Sequence, residues 1–180
     1  ETNSIDKIYI LIVERLVFIT LQSRAISKSA APEDETKAKE NRMCICHSNQ
    51  PKNVDNQEIN KLRNAFGHRA LWMGLIIKEM KDRGLDWEDI GRSAIFSTGC
   101  MHGDQIKQKL QSPDSLIEFG KTFLNEDVQK VFEMDIKKLD DKELTVEFGY
   151  CPLVTAWTQA GIEGELLNKL CDIAMDGDRG

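Results

Sequence analysis

Tyr150, Cys151 and Pro152 form a junction that few backbone arrangements can satisfy. Before it, Leu144, Val146 and Phe148 alternate with polar residues, the period of a strand with one buried face. After it, Pro152 opens a helical stretch. Proline suits the first helical position because its missing N–H would be unpaired there anyway. Cys151 therefore falls at or near the N-cap, where free amides and the helix dipole favour an anion, and its thiol pKa is expected to be lowered. The chain ends in a second helical stretch, residues 163–175, which carries Cys171 and leads into Asp172, Asp176 and Asp178. Cys171 shares a face with Leu167 and Met175, so a core role competes with a functional one. Asp172 and Asp176 are helix-surface neighbours, and two like charges there cost stability unless a cation, a metal or a substrate group faces them.

Upstream, residues 5–26 are strongly apolar, but Glu14 and Arg15 in the middle argue against a membrane span. They read as a helix packed on the core or on a partner chain, with a strand at residues 8–13 as the alternative. Residues 27–57 are polar and charge-dense and behave as a linker or mobile arm. Within them, Cys44, Cys46 and His47 are too tightly spaced for a zinc site of their own.

Residues 58–83 show helical spacing, with Ile59, Leu62, Phe66, Leu71, Leu75, Ile76 and Met80 on the expected core side and Gly84 as the stop. Trp72 and Met73 also read as core. Asp86 caps the next helix, which breaks or bends at residues 99–104. Ser112, Pro113 and Asp114 start another through Phe123. Residues 128–136 and 143–150 alternate and predict an antiparallel pair, joined through Leu139, Asp140, Asp141 and Lys142. The fold class is α+β: several helices packed on a small antiparallel sheet, with a helical pair at the C-terminus. The organisation is residues 1–57 as apolar helix and arm, and residues 58–180 as the domain.

A net charge of −6 with interspersed signs lacks the basic face that nucleic acid or a polybasic membrane contact requires. Five cysteines, an odd number, point to a reduced, cytoplasmic setting rather than a disulfide framework.

Gly99, Cys100, Met101, His102 and Gly103 set a thiol and an imidazole two apart between glycines, a spacing open to a shared metal or a nucleophile–base pair. His68 and Arg69 lie on an otherwise apolar helix. The histidine reads as hydrogen-bonded core or catalyst, and the arginine as a carboxylate clamp or a snorkelling side chain.

Residues 65–74 and 94–103, together with Gly149–Trp157 and Leu170–Gly180, resemble the L-2-amino-thiazoline-4-carboxylic acid hydrolase family over roughly residues 58–180. The resemblance implies ring-opening hydrolysis of a small cyclic amidine to N-carbamoyl-cysteine. On that reading Asp172 or Asp176 holds the amidine protonated, Cys151 attacks or water is activated, His102 protonates the leaving thiolate, and Arg69 or Arg179, with His68, binds the substrate. In a second mechanism Cys100, His102, Cys151 and Cys171 gather round a divalent metal. The family pattern continues beyond Gly180 into a strand-like segment, so an open sheet edge and a homodimer, through that edge or residues 5–26, are expected. The rival class is a non-catalytic sensor that binds a small molecule, a metal or a tetrapyrrole. A third reading is a partner-dependent structural domain.

Overall fold

The structure is a computed structural model in which residues 8–13, 16–22 and 49–180 are described. Helix α1 (Gln57–Asp82) starts where the Asn56 side chain accepts the amides of Glu58 and Ile59. It stops at Arg83, and Gly84 follows at φ 70°, the left-handed position that glycine takes without strain.

The face of α1 that packs is only partly the expected one: Ile59 is buried and Met73 and Met80 pack against the core, as expected. Ile59, Arg63, Ala70, Gly74 and Ile77 are buried, whereas Leu62, Leu75, Ile76 and Trp72 are exposed, Trp72 by 62%. Trp157 is the reason. A Cβ on Gly74 would lie 2.5 Å from its Cδ1, and its indole N–H donates to the Ala70 carbonyl at 2.7 Å. Small residues admit the indole, so the stripe that faces the core is narrow rather than bulky.

Helix α2 (Trp87–Lys107) runs unbroken through residues 99–104, where a break was expected. Its glycines serve close approach instead of a turn. A Cβ on Gly99 would meet the Gly177 carbonyl oxygen at 2.3 Å, and one on Gly180 would meet the Phe96 oxygen at 2.2 Å.

Helix α3 (Leu116–Phe123) is capped by Ser115, whose hydroxyl accepts the Glu118 amide. The expected strand at residues 128–136 is replaced by helix α4 (Glu126–Phe132) and then strand β3. Asn125 caps this helix through the Val128 amide, and Glu133 closes it at φ 50°, ψ 49°. Local capping thus overrides the alternating pattern as far as Phe132.

Strand β3 (Met134–Leu139) pairs antiparallel with β4 (Glu143–Phe148), with Met134 opposite Phe148 and Ile136 opposite Val146. In the connection Asp140 Oδ1 accepts the amides of Lys142 and Glu143. Leu144 and Val146 are buried as the alternation requires.

The N-terminal apolar run is β rather than helix where it is described. Strands β1 (Ile8–Val13) and β2 (Leu16–Gln22) pair antiparallel, and β2 pairs with β4, giving the sheet order β1-β2-β4-β3. Its density of β-branched residues suits a pleated surface better than a helix. The N-terminal strands therefore share one sheet with the part beyond residue 57. Residues 44–47 lie outside the described residues.

After Tyr150 come α5 (Pro152–Gln159), α6 (Gly164–Ala174) and the single turn α7 (Asp176–Arg179). One core joins Ala70 and Ile77 to Trp157, Ile162, Leu167, Leu170 and Ile173. A second, under the sheet, is built on Leu124, Leu144 and Val146. The fold is α+β, mostly helical, with the helical C-terminus expected from the sequence.

Candidate active site

Cys151 is the N-cap of α5, with φ −131°, ψ 111° and Pro152 next to it. Its backbone is held from outside the helix. The Asn49 side chain accepts the Cys151 amide at 2.8 Å, and its NH₂ donates to the Cys151 carbonyl at 2.9 Å and to the Thr155 hydroxyl at 2.9 Å. The electrostatic outcome is the opposite of the expectation. Burial pushes the Cys151 thiol up, the amides of Val154 and Leu153 at the helix start offset only part of this, and the charge of Asp178 adds to the rise. The helix terminus acts on the sulfur, but desolvation outweighs it.

Cys171 on α6 is pushed up to about 12, by burial first and then by the charges of Cys151 and Asp172. Asp178 on α7 is pushed up to about 7 by burial, against the pull of Arg179. No hydrogen bond among the described residues offsets that desolvation. The three groups influence one another, and Asp178 is the one whose protonation changes near neutrality.

Asp172 and Asp176 do meet a cation, and it is internal. Arg92 on α2 donates to Asp176 at 2.9 Å, to Glu88 at 3.0 Å and to Asp172. Arg179 donates to Asp176 and lies 3.4 Å from Asp172. For Asp172, burial works upward, but the Arg92 hydrogen bond and the charges of Arg92 and Arg179 hold its carboxyl below the usual range. Both aspartates and Arg179 are thus engaged in pinning α6 and α7 to α2, and the amidine-binding and carboxylate-binding roles expected of them would require those pairs to open.

Cys100 and His102 both lie on α2, and two residues along a helix are about 200° apart round its axis, so they do not converge. His102 is exposed and Cys100 half-buried. His68 and Arg69 are also on the exposed side of α1: His68 accepts the Trp72 indole N–H at 3.2 Å, and Arg69 lies over the Phe66 ring at 5.0 Å. Among the described residues no group of three or more His, Cys, Asp or Glu side chains is placed to hold a metal ion. The expected four-ligand set of Cys100, His102, Cys151 and Cys171 is therefore not assembled.

Three participants were not singled out from the sequence. Arg63 is buried; it pairs with Glu133 at 2.8 Å, donates to the carbonyls of Asn53 and Val131, and lies over the Tyr150 ring at 4.6 Å. Glu133 Oε1 also accepts the amides of Lys52 and Asn53. Asn49 completes this strap. Their signal was an Arg among the polar residues of a helix and an Asn-rich arm, neither of which names a partner.

Residues 63–180 match the family model described as L-2-amino-thiazoline-4-carboxylic acid hydrolase. No curated protein and no solved structure shows a significant match.

Proposed function

The chain belongs to the L-2-amino-thiazoline-4-carboxylic acid hydrolase family, and from that premise we propose that residues 58–180, with the strap from Asn49, hydrolyse a small cyclic amidine such as L-2-amino-thiazoline-4-carboxylate to N-carbamoyl-cysteine. The observation that carries the reading is the placement of Cys151 at the N-cap of α5 within the part matched by the family model; Asp178, a desolvated carboxyl pushed up to about 7, acts on it electrostatically. A base poised near the working pH is what a proton-transfer step needs.

The chemistry divides into two displacements. The Asp178 carboxylate takes the Cys151 thiol proton, and the thiolate adds to C2 of the ring. The C2–S bond breaks, and the ring sulfur leaves with the electron pair and takes the proton back from Asp178. This leaves a thiouronium group on Cys151. Water then loses a proton to Asp178 and adds to the same carbon. The Cys151–carbon bond breaks, Cys151 recovers its proton, and the urea of N-carbamoyl-cysteine is released. One water is consumed and no redox change occurs. Burial of Cys151 is tolerable because its proton is removed only as the bond forms. A cytoplasmic setting suits the free thiols Cys100, Cys151 and Cys171.

The rival reading is a non-catalytic sensor for a small molecule. Its support is that the Cys151 and Cys171 thiols are both pushed up, so neither is a resting thiolate. Turnover separates the two. The purified chain, Cys151→Ser and Asp178→Asn are incubated with L-2-amino-thiazoline-4-carboxylate, with and without chelator, and N-carbamoyl-cysteine is followed by mass. Chelator-resistant product that both substitutions abolish supports the hydrolase. Stoichiometric binding without product supports the sensor.

A further inference from the structure

We propose that Asn49 is a positioning residue for Cys151, clamping the backbone of the nucleophile from outside the helix that carries it. The inference rests on the reading of Cys151 as nucleophile.

The N-cap residue is the least constrained position of a helix, because its amide precedes the helical hydrogen-bond ladder. At Cys151 the amide is taken by Asn49 Oδ1 at 2.8 Å. The Cys151 carbonyl accepts the Thr155 amide at 3.3 Å and the Asn49 NH₂ at 2.9 Å. A single carboxamide thus pairs with both backbone groups of one extended residue, as an adjacent strand would. With N–H and C=O both held, φ and ψ of Cys151 are fixed, and with them the direction of its Cα–Cβ bond. That direction sets how strongly the Leu153 and Val154 amides at the helix start act on the sulfur.

Asn49 can do this because its own position is set elsewhere. The amides of Lys52 and Asn53 donate to Glu133 Oε1 at 2.8 and 2.9 Å, and Arg63 Nη1 donates to the Asn53 carbonyl at 2.6 Å. Arg63 and Glu133 are themselves a buried pair beside Tyr150, the residue before Cys151. The strap is therefore bolted to the element that delivers the cysteine. Position 49 lies outside residues 63–180, the part matched by the family model, so the site of this chain includes a contribution from its arm. The chemistry requires an amide: an aspartate at position 49 keeps the acceptor for the Cys151 N–H, but sets an oxygen against the Cys151 carbonyl and a charge near the thiol.

The test uses the full chain with Asn49→Ala and Asn49→Asp. Iodoacetamide labelling of the Cys151 peptide is followed by mass across pH, alongside kcat and KM for L-2-amino-thiazoline-4-carboxylate and the thermal midpoint. Cys171 on α6 and Asp178 on α7 face the thiol electrostatically and are unchanged in both variants. In Asn49→Ala the labelling profile is expected to move to higher pH, and kcat to fall about 10-fold with KM within about two-fold, the pattern of a misplaced reacting group. Asn49→Asp shifts the profile further. Because it preserves the side-chain shape, it also decides the matter if the alanine variant folds poorly. An unchanged labelling profile in both variants overturns the clamp. Labelling needs no substrate, so it judges Asn49 separately from the reading of Cys151 as nucleophile, which fails instead if Cys151→Ser retains turnover, and from the hydrolase reading, which fails if the wild-type chain gives no product.

Discussion

Gly99 of α2 and Gly177 of α7 touch backbone to backbone, so closely that a Cβ on Gly99 would lie 2.3 Å from the Gly177 carbonyl oxygen. This contact seats the turn that carries Asp178. Gly99→Ala is expected to push α7 outward and cost about 1–3 kcal/mol, the range for overpacking. Turnover should fall more than stability, because Asp178 moves with the turn. Chemical denaturation and kcat measured on the same variant check this.

Asp178 predicts an unusual pH dependence of stability. Its folded pKa, about 7, lies above its ordinary value of 3.8. Between these values the folded state binds more protons than the unfolded state, so stability falls as pH rises through that window and is level above it. The wild-type protein should lose on the order of a few kcal/mol across the window. Asp178→Asn should flatten the profile and be more stable than wild type at alkaline pH, while kcat/KM drops by about 100-fold or more. Urea midpoints across pH measure the first effect. A variant no more stable than wild type above neutrality would contradict the burial of an ionised carboxylate there.

Arg92 joins α2 to α6 and α7 through Asp172 and Asp176. Arg92→Met leaves those two carboxylates facing each other with Arg179 alone. The loss is expected to be about 1–2 kcal/mol, more than an isolated surface pair contributes, because three carboxylates share this guanidinium. Since the Asp172 carboxyl is held below its ordinary value, its contribution is present above that value and disappears as pH falls through the folded pKa. The variant and wild type should therefore converge in acid, which denaturation at neutral and acid pH would reveal.

Arg63 and Glu133 form a pair whose side chains are 6% and 13% exposed, and Glu133 Oε2 is buried without a partner. Arg63→Met removes the cation of the only ion pair that Glu133 makes among the described residues and leaves the carboxylate with the Lys52 and Asn53 amides alone. A loss of about 3–5 kcal/mol is expected. The double variant Arg63→Met, Glu133→Gln should recover part of it, and a double-mutant cycle by thermal denaturation measures the coupling.

The local grammar of the chain was read well. The helical run of α1 from residue 58 and its stop at Gly84, the Asp140 connection, the burial of Leu144 and Val146, and Cys151 as N-cap with Pro152 behind it all follow from residues within a few positions of one another. Where a distant partner intervenes, the reading failed. Helix α1 turned its small face inward because Trp157, 87 residues away from Ala70, needed room there. Gly99 and Gly103 were taken for a break because glycine in a helix marks either a turn or a close approach, and only the partner tells which. One local signal was also missed: the stretch at residues 128–136 alternates like a strand, yet the Asn125 cap, three residues before Val128, carried it into a helix as far as Phe132.

By itself the sequence determined the α+β class, the strand-to-helix junction that presents Cys151, the cluster of acids at the end of the chain, and a family resemblance over most of its length. Only the tertiary structure decided which of those acids is free. Arg92, 80 residues from Asp172, neutralises Asp172 and Asp176, while Asp178 is left desolvated without a hydrogen-bonding partner among the described residues. The same holds for Cys151, lifted by burial despite its helix terminus and held by Asn49, 102 residues away. Charge and capping motifs are local properties, but desolvation and pairing depend on what the fold brings from elsewhere, and these set the chemistry of the site.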